Sequence, residues 1–239
     1  PVFTAHPTEA SRRSIRTKIT RLAELLELRA DPRLNDGARA RAERHIAELV
    51  DLIWQTDELR VEKPTPMDEA RTVLDYFDGI FREVAPEILD ELDHQLGRVG
   101  AELPLDAKPL NFGTWVGGDR DGNPNVTAAV TLQVLEAQHE HALRELIYAV
   151  EELSGELSPS ERLVTISSEL VETLESDALA LPQVHQRFSR LSAGEAYRRK
   201  CAFIHQRLLN TRERIADGAA HQPGLDYAGS GDLLAELEG

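Results

Sequence analysis

The sequence predicts a mainly α chain of long helices carrying two short strands. Three observations predict it. Apolar residues recur at helical spacing over most of the 239 residues. Only two short stretches, Val2–Ala5 and Leu110–Val116, read as strands. Hydrophobic residues make up 41% but aromatics only 5%, so the core is built from Leu, Ile, Val and Ala, and the 29% charged residues suit long solvated helix faces.

The elements follow in order. Val2 to Ala5 is a short buried strand, ended by His6-Pro7-Thr8 because Pro7 cannot donate to a ladder. Ile15, Ile19, Leu22 and Leu26 then mark one helix face, stopped by Asp31-Pro32. A second helix runs from about 36 to 60, with Ile46, Leu49, Val50, Ile53 and Trp54 inward. Thr65 is its successor's N-cap, with Pro66 at the first helical position and Asp68 and Glu69 in the first turn. That third helix buries Val73, Leu74, Phe77, Ile80 and Phe81, and a fourth from near Pro86 buries Ile88, Leu89, Leu92, Leu96 and Val99. Residues 100–109 are a loop before the second strand, and Gly117 to Pro124 cannot be regular structure. A long helix runs from Thr127 to about Leu153, Ser158-Pro159 restarts one to about Ser176, and Leu181-Pro182 breaks again. The last clear helix aligns Tyr197, Cys201, Ile204 and Leu208; beyond Ala216 the composition predicts a linker, with Leu233-Leu234 opening another helix.

A formal charge of −15 gives no support for a nucleic-acid partner. No apolar run approaches the ~20 residues of a membrane helix, and no signal peptide is visible. The single Cys201 cannot form an internal disulfide, which fits a reducing cytoplasm and a small core residue. The chain opens on Pro1-Val2-Phe3 without a lead-in, and two strands close neither a barrel nor an ordinary sheet. Residues 1–239 are therefore expected to be a portion of something longer.

Two constellations carry chemistry. In the first, Thr4-Ala5-His6-Pro7-Thr8-Glu9, His6 sits at a strand end before a helix, where α/β folds place reactive groups. Thr8 or Glu9 is positioned to fix its tautomer, and an imidazole near neutral pKa can take and return a proton. Arg12 and Arg13 follow as a fork-shaped anion site. By composition alone His6 is more often a satisfied structural residue, and the Arg pair a solvated face or an ion-pair partner. His139-Glu140-His141 is no metal site, since residues two apart point to different sides of a helix.

In the second, Phe112 to Pro124, an apolar strand runs into a glycine-rich polar loop. Trp115 can wall an apolar pocket, Gly117 and Gly118 allow close backbone approach, and Asp119, Arg120, Asp121 and Asn123 can knit to each other or to a substrate. The acidic spacing fails as a calcium loop, because Pro124 and Val130 stand where a glycine and a glutamate are required. A tight structural turn is the plain alternative.

Together these segments resemble phosphoenolpyruvate carboxylase of the bacterial type. Val2-Phe3-Thr4-Ala5-His6-Pro7-Thr8-Glu9-Ala10-Ser11-Arg12-Arg13 matches the family's histidine signature, and FGTWVGGDRDGNPNVT, Phe112 to Thr127, is similar to a second family stretch. Thr56-Asp57-Glu58-Leu59-Arg60, Pro64 to Glu69, and Asn210-Thr211-Arg212-Glu213-Arg214 fit in order. The resemblance implies the N-terminal portion of a catalytic domain built as a helix-rich (β/α)8 TIM-like barrel, of which this chain holds the first two strands. It implies a cytoplasmic lyase that joins bicarbonate to phosphoenolpyruvate, giving oxaloacetate and phosphate, with Mg2+ and without biotin. His6 is then the catalytic base and Trp115 lines the pocket that holds CO2, while Asp119, Arg120, Asp121 and Asn123 brace the substrate site. Arg12, Arg13 and Arg60 match effector-binding positions, for a sugar phosphate or acetyl-coenzyme A. The Mg2+ ligands and phosphate-gripping arginines are expected outside these residues, the whole protein as an allosteric homotetramer, and this chain alone as inactive. A stand-alone helical interaction domain and a phosphate-binding module built on the three arginines are the competing readings.

Overall fold

The computed structural model of the chain describes residues 1–4, 13–57, 64–104, 107–120 and 122–238, with Arg13 by its backbone alone. His6, Arg12, Arg60 and Asp121, and the strand end expected at Ala5, lie outside the described residues. In chain order come β1 (Val2–Phe3), α1 (Arg13–Ala30), α2 (Asp36–Trp54), α3 (Pro66–Gly79), a π-helical turn (Ile80–Val84) and α4 (Ala85–Arg98). Then follow β2 (Gly113–Thr114), α5 (Ala128–Glu156), α6 (Ser168–Ala180), α7 (Pro182–Leu191), α8 (Ala196–Asp217) and α9 (Ser230–Glu238). The chain is mainly helical with two short parallel strands, and it divides into two compact units.

The first unit comprises Pro1–Ile80 and Glu87–Leu135. A core cluster sits on α3: Ala70, Val73 and Phe77, with Val116, Val134, Phe3 and Phe112 packed around them. The Phe77 ring stands edge-on to Phe3, centroids 5.0 Å apart, and to Phe112 at 6.3 Å. The two strands are thereby seated on a single helix face. α3 starts as its sequence predicts: the Thr65 hydroxyl accepts from the Asp68 amide at 3.2 Å, and the Asp68 carboxylate accepts from the Thr65 amide at 3.0 Å. The break expected before Pro86 is instead the π-helical turn, so α3 runs on into α4.

Helices α1 and α2 form an antiparallel hairpin. Asn35 caps α2 by accepting from the Ala38 amide at 2.9 Å. The helix stops at Trp54, short of the expected residue 60, where the Thr56 hydroxyl donates back to the Leu52 carbonyl at 2.6 Å. The inward faces also differ from expectation. Ile15, Leu25 and Ala42 are buried, whereas Ile19, Leu26, Val50 and Trp54 are exposed. Ile88 and Val99 of the α4 region are exposed too, and Leu89, Leu92 and Leu96 are half-buried.

The second unit comprises Phe81–Pro86 and Glu136–Gly239. α8 is its axis. One face (Cys201, Ile204, Leu208) packs with Leu143, Ile147 and Val150 of α5 and with Tyr227 and Leu233. The other (Ala202, Phe203) packs with Leu174, Leu181 and Val184. The helix expected to restart at Ser158-Pro159 begins ten residues later, at Ser168, where Ser167 accepts from the Leu170 amide at 3.1 Å. Leu181-Pro182 is both a stop and a start, since Pro182 takes the first position of α7, where a missing amide costs nothing.

The expected linker beyond Ala216 is exposed over residues 217–224 but packs at Leu225, Asp226 and Tyr227. Tyr227 and Asp226 are 5% and 7% exposed. Asn210 donates to the Leu225 carbonyl at 2.7 Å, Arg214 to the Tyr227 carbonyl at 2.8 Å, and the Tyr227 amide donates to the Thr211 hydroxyl at 2.9 Å. Gly and Pro here shape a turn whose polar backbone is satisfied by α8 side chains.

Candidate functional site

The in-register parallel pairing of Val2 with Gly113 and Phe3 with Thr114 brings both chain exits to one carboxyl edge. That edge is where parallel strands present their loops to a ligand. α3 holds both sides of it. Phe77 anchors Phe3 and Phe112, while Arg16 in the first turns of α1 pairs with Asp75 at 3.3 Å and lies 4.9 Å over the Tyr76 ring. Arg16 carries no motif of its own, so nothing in the sequence singled it out as the residue that ties α1 to α3.

The loop after β2 is built by its backbone. Val116 turns into the core at 6% exposure, and its neighbour Trp115 points away from that core at 54%. The Trp115 carbonyl accepts from the amides of Gly118 and Asp119, at 2.8 and 3.0 Å, closing a tight turn. Gly117 at its centre has φ +80°, and a Cβ added there would lie 2.5 Å from Val134 Cγ2. Its carbonyl accepts from the Thr131 hydroxyl of α5 at 2.9 Å. Asp119 and Arg120 are exposed, and the Asn123 side chain accepts from the Asn125 amide at 3.0 Å. The structure thus joins Trp115, Asp119, Arg120 and Asn123 on one loop beside the edge shared with β1.

A hard divalent cation asks for about six oxygen ligands. Among the described residues of this loop, Asp119 is the only carboxylate, and the Asn123 oxygen is engaged by the backbone. The described residues of the loop do not by themselves supply that ligand set.

Elsewhere, the strongest electrostatics are structural. In the second unit the Arg207 guanidinium, itself buried, donates to Asp177, to Glu236 and, at 3.0 Å, to the Gly224 carbonyl. Lys200 bridges the same two carboxylates at 2.8 and 2.7 Å. Burial lowers the Arg207 pKa, but the two acids outweigh it and hold the guanidinium more firmly charged. Burial, then the Glu236 carboxylate 2.6 Å away, push the Tyr227 phenol well above its usual range. A cleft of about 760 Å³ in this unit is lined by Val184, Phe188, Cys201 and His205 among others, and by none of the site residues flagged from sequence.

The profile of phosphoenolpyruvate carboxylase matches residues 1–239. The chain belongs to the phosphoenolpyruvate carboxylase family. Among its relatives is the phosphoenolpyruvate carboxylase of Roseiflexus castenholzii, 42% identical over 234 residues, covering 98% of this chain and 24% of that protein. That of Gloeobacter violaceus is 37% identical over 248 residues, covering 99% and 26%. That of Synechocystis is 38% identical over 224 residues, covering 89% and 22%. The chain therefore spans about a quarter of the length of these phosphoenolpyruvate carboxylases. Among the described residues, no helix is long and apolar enough to cross a membrane.

Proposed function

We propose that this chain is the N-terminal portion of the catalytic domain of a phosphoenolpyruvate carboxylase, contributing the base and part of the CO2 pocket to a site completed elsewhere in a longer polypeptide. The single supporting observation is the parallel, in-register pairing of β1 and β2 on α3. His6 follows β1 and Trp115 follows β2, so the pairing favours one shared edge for both, as in the first two strands of a (β/α)8 barrel.

The chemistry assigns each residue a task. A bicarbonate oxygen attacks the phosphorus of phosphoenolpyruvate, the bond to the enol oxygen breaks, and carboxyphosphate and an enolate result. His6 removes the carboxyl proton of carboxyphosphate; the bond to phosphate then breaks, releasing CO2 and phosphate. The enolate carbon attacks CO2 to form oxaloacetate. Trp115, apolar and half-exposed, walls the space in which CO2 must meet the enolate before water protonates it. Asp119, Arg120, Asp121 and Asn123 brace that wall. Mg2+, when bound, neutralises charge on the phosphate and enolate oxygens, and its ligands lie outside this loop. Arg12, Arg13 and Arg60 take phosphorylated or acetyl-coenzyme A effectors, with the salt sensitivity of exposed ion pairs. The enzyme works in the cytoplasm as a homotetramer.

The test couples oxaloacetate to NADH oxidation through malate dehydrogenase. The 239-residue chain is expected to give no signal and the longer protein a bicarbonate-dependent one. His6→Asn in the longer protein lowers kcat by roughly 10²- to 10⁴-fold with little change in KM for phosphoenolpyruvate. An unchanged kcat removes His6 from the mechanism, and turnover by the short chain removes the division of the site.

A further inference from the structure

The loop that carries Trp115 is tied to α5 through a side chain that the catalytic reading leaves unused, Thr131. Gly117 is buried at φ +80°, with Val134 filling the space a Cβ would take, so its peptide has little room to turn. Among the described residues, the donor that reaches the Gly117 carbonyl is the Thr131 hydroxyl, at 2.9 Å. That hydroxyl has one proton and a second acceptor in reach, the Thr127 carbonyl at 3.2 Å. The Thr127 carbonyl already takes the Thr131 amide at 2.9 Å, so the hydroxyl proton gains more on Gly117. Thr131 and Val134 are three residues apart and share one face of α5: the first bonds to Gly117 and the second packs on it.

Trp115 stands two residues before this tether. Strand pairing holds the chain as far as Thr114, whose hydroxyl accepts from the Val116 amide at 3.1 Å, and Val116 is seated in the core. The Trp115 carbonyl faces into its own turn, accepting from Gly118 and Asp119. The half-exposed indole has no such bond of its own, so its direction follows from how the turn sits on α5. Loss of the Thr131 hydroxyl leaves the internal bonds of the turn in place and changes only its seating. Thr131 lies beyond the Phe112–Thr127 stretch, and a threonine in the first turns of a helix carries no signal in the sequence.

We propose that Thr131 is a positioning residue for the carboxylation step: through the Gly117 carbonyl it holds Trp115 against the space in which CO2 meets the enolate. The proposal rests on the reading of Trp115 as a wall of that space. Its consequence is a partition. In the closed arrangement the enolate carbon bonds to CO2 and gives oxaloacetate. With the wall displaced, the same carbon takes a proton from water and gives pyruvate, while the hydroxide left behind joins CO2 and returns bicarbonate. Phosphate is released before the two routes divide, so it counts both.

The test is made in the longer protein, with malate dehydrogenase present to trap oxaloacetate before it can lose CO2. Phosphate, oxaloacetate and pyruvate are each measured. In Thr131→Val, of nearly the same shape but without the hydroxyl, the pyruvate-to-oxaloacetate ratio is expected to rise about five- to tenfold, the shift in population that loss of one ordinary hydrogen bond produces. Phosphate release per folded enzyme stays within about twofold of its original rate, because the steps before the division do not use the wall. Thr131→Ser, which keeps the donor, restores the original ratio. Thr211→Val is the structural control: it removes a buried hydroxyl that accepts from the Tyr227 amide and donates to the Arg207 carbonyl in the second unit, and it leaves the ratio unchanged. The ratio does not depend on how much protein folds, so a low yield of Thr131→Val does not blur it. An unchanged ratio in Thr131→Val overturns the proposal, as does an equal rise in Thr131→Ser or in Thr211→Val. If the longer protein makes no oxaloacetate before any substitution, the reading of Trp115 falls as well, which sets that failure apart.

Discussion

Gly117 is the position where one methyl group has the most specific consequence. Its φ of +80° belongs to the left-handed region, which costs a residue with a Cβ about 1–2 kcal/mol. A Cβ there also lies 2.5 Å from Val134 Cγ2, 3.2 Å from Val134 Cβ and 3.3 Å from Val134 Cγ1, in a packed core. Val134 is 3% exposed and β-branched, so it cannot swing away without displacing Val73 or Phe77; overpacking of this kind adds about 1–3 kcal/mol. Gly117→Ala is thus expected to destabilise by about 2–5 kcal/mol. Gly122→Ala is the control. Its φ is +70° but nothing lies within 4 Å of the added Cβ, so it shows only the backbone part, about 1–2 kcal/mol. Urea unfolding followed at 222 nm measures both. A double-mutant cycle with Val134→Ala separates the clash, and the coupling between the two sites is expected at about 1–3 kcal/mol in the relieving direction. Equal effects at Gly117 and Gly122, with no coupling to Val134, would refute the reasoning.

Arg207→Ala leaves the buried Asp177 with Lys200 as its remaining cation, shared with Glu236, and is expected to cost about 3–5 kcal/mol in the same urea assay; Arg207→Lys recovers little, because a lysine cannot reach two acids and the Gly224 carbonyl together. Glu145 titrates below its ordinary 4.5, chiefly through its hydrogen bond from Arg82. In Asp226, burial pushes the pKa up, but hydrogen bonds from His221 and the Gln222 amide and the charge of Arg214 outweigh it and hold the group below 3.8. Both are depressed on folding, so their stabilisation is complete above their unfolded values and is lost as pH falls through the folded ones; unfolding free energy measured from pH 7 to 2.5 should drop below about pH 4.5, less steeply in Arg82→Gln. Cys201 is 4% exposed and burial raises its thiol pKa, so a disulfide-exchange dye at pH 8 should label it at the rate of unfolding rather than at the rate of a free thiol.

Much of this was legible along the chain. Thr65-Pro66 with Asp68 forms a capping box from four adjacent residues, and Phe3, Phe112 and Val116 were readable as strand hydrophobics beside polar turns. The glycine loop was readable as irregular structure, and its motif as that of the phosphoenolpyruvate carboxylase family. The errors share one cause. Ile19, Leu26, Val50 and Trp54 satisfy helical spacing as well as Ile15, Leu25 and Ala42 do, and periodicity marks an apolar side without saying what covers it. Pro182 carries the same signal whether it ends α6 or opens α7. The segment after Ala216 has a linker's composition, yet side chains from Asn210 to Arg214 hold it in place.

The sequence by itself determined the family, the helical class, the Thr65 cap and the irregular glycine loop after β2, because each depends on residues close together in the chain. The tertiary structure decided that β1 and β2 pair in parallel on α3, that Gly117 has no room for a methyl group beside Val134, and that Tyr227 is core rather than tether. Those facts join residues dozens of positions apart. Contact between them is settled by which surfaces exclude water together, and local spacing carries no record of that.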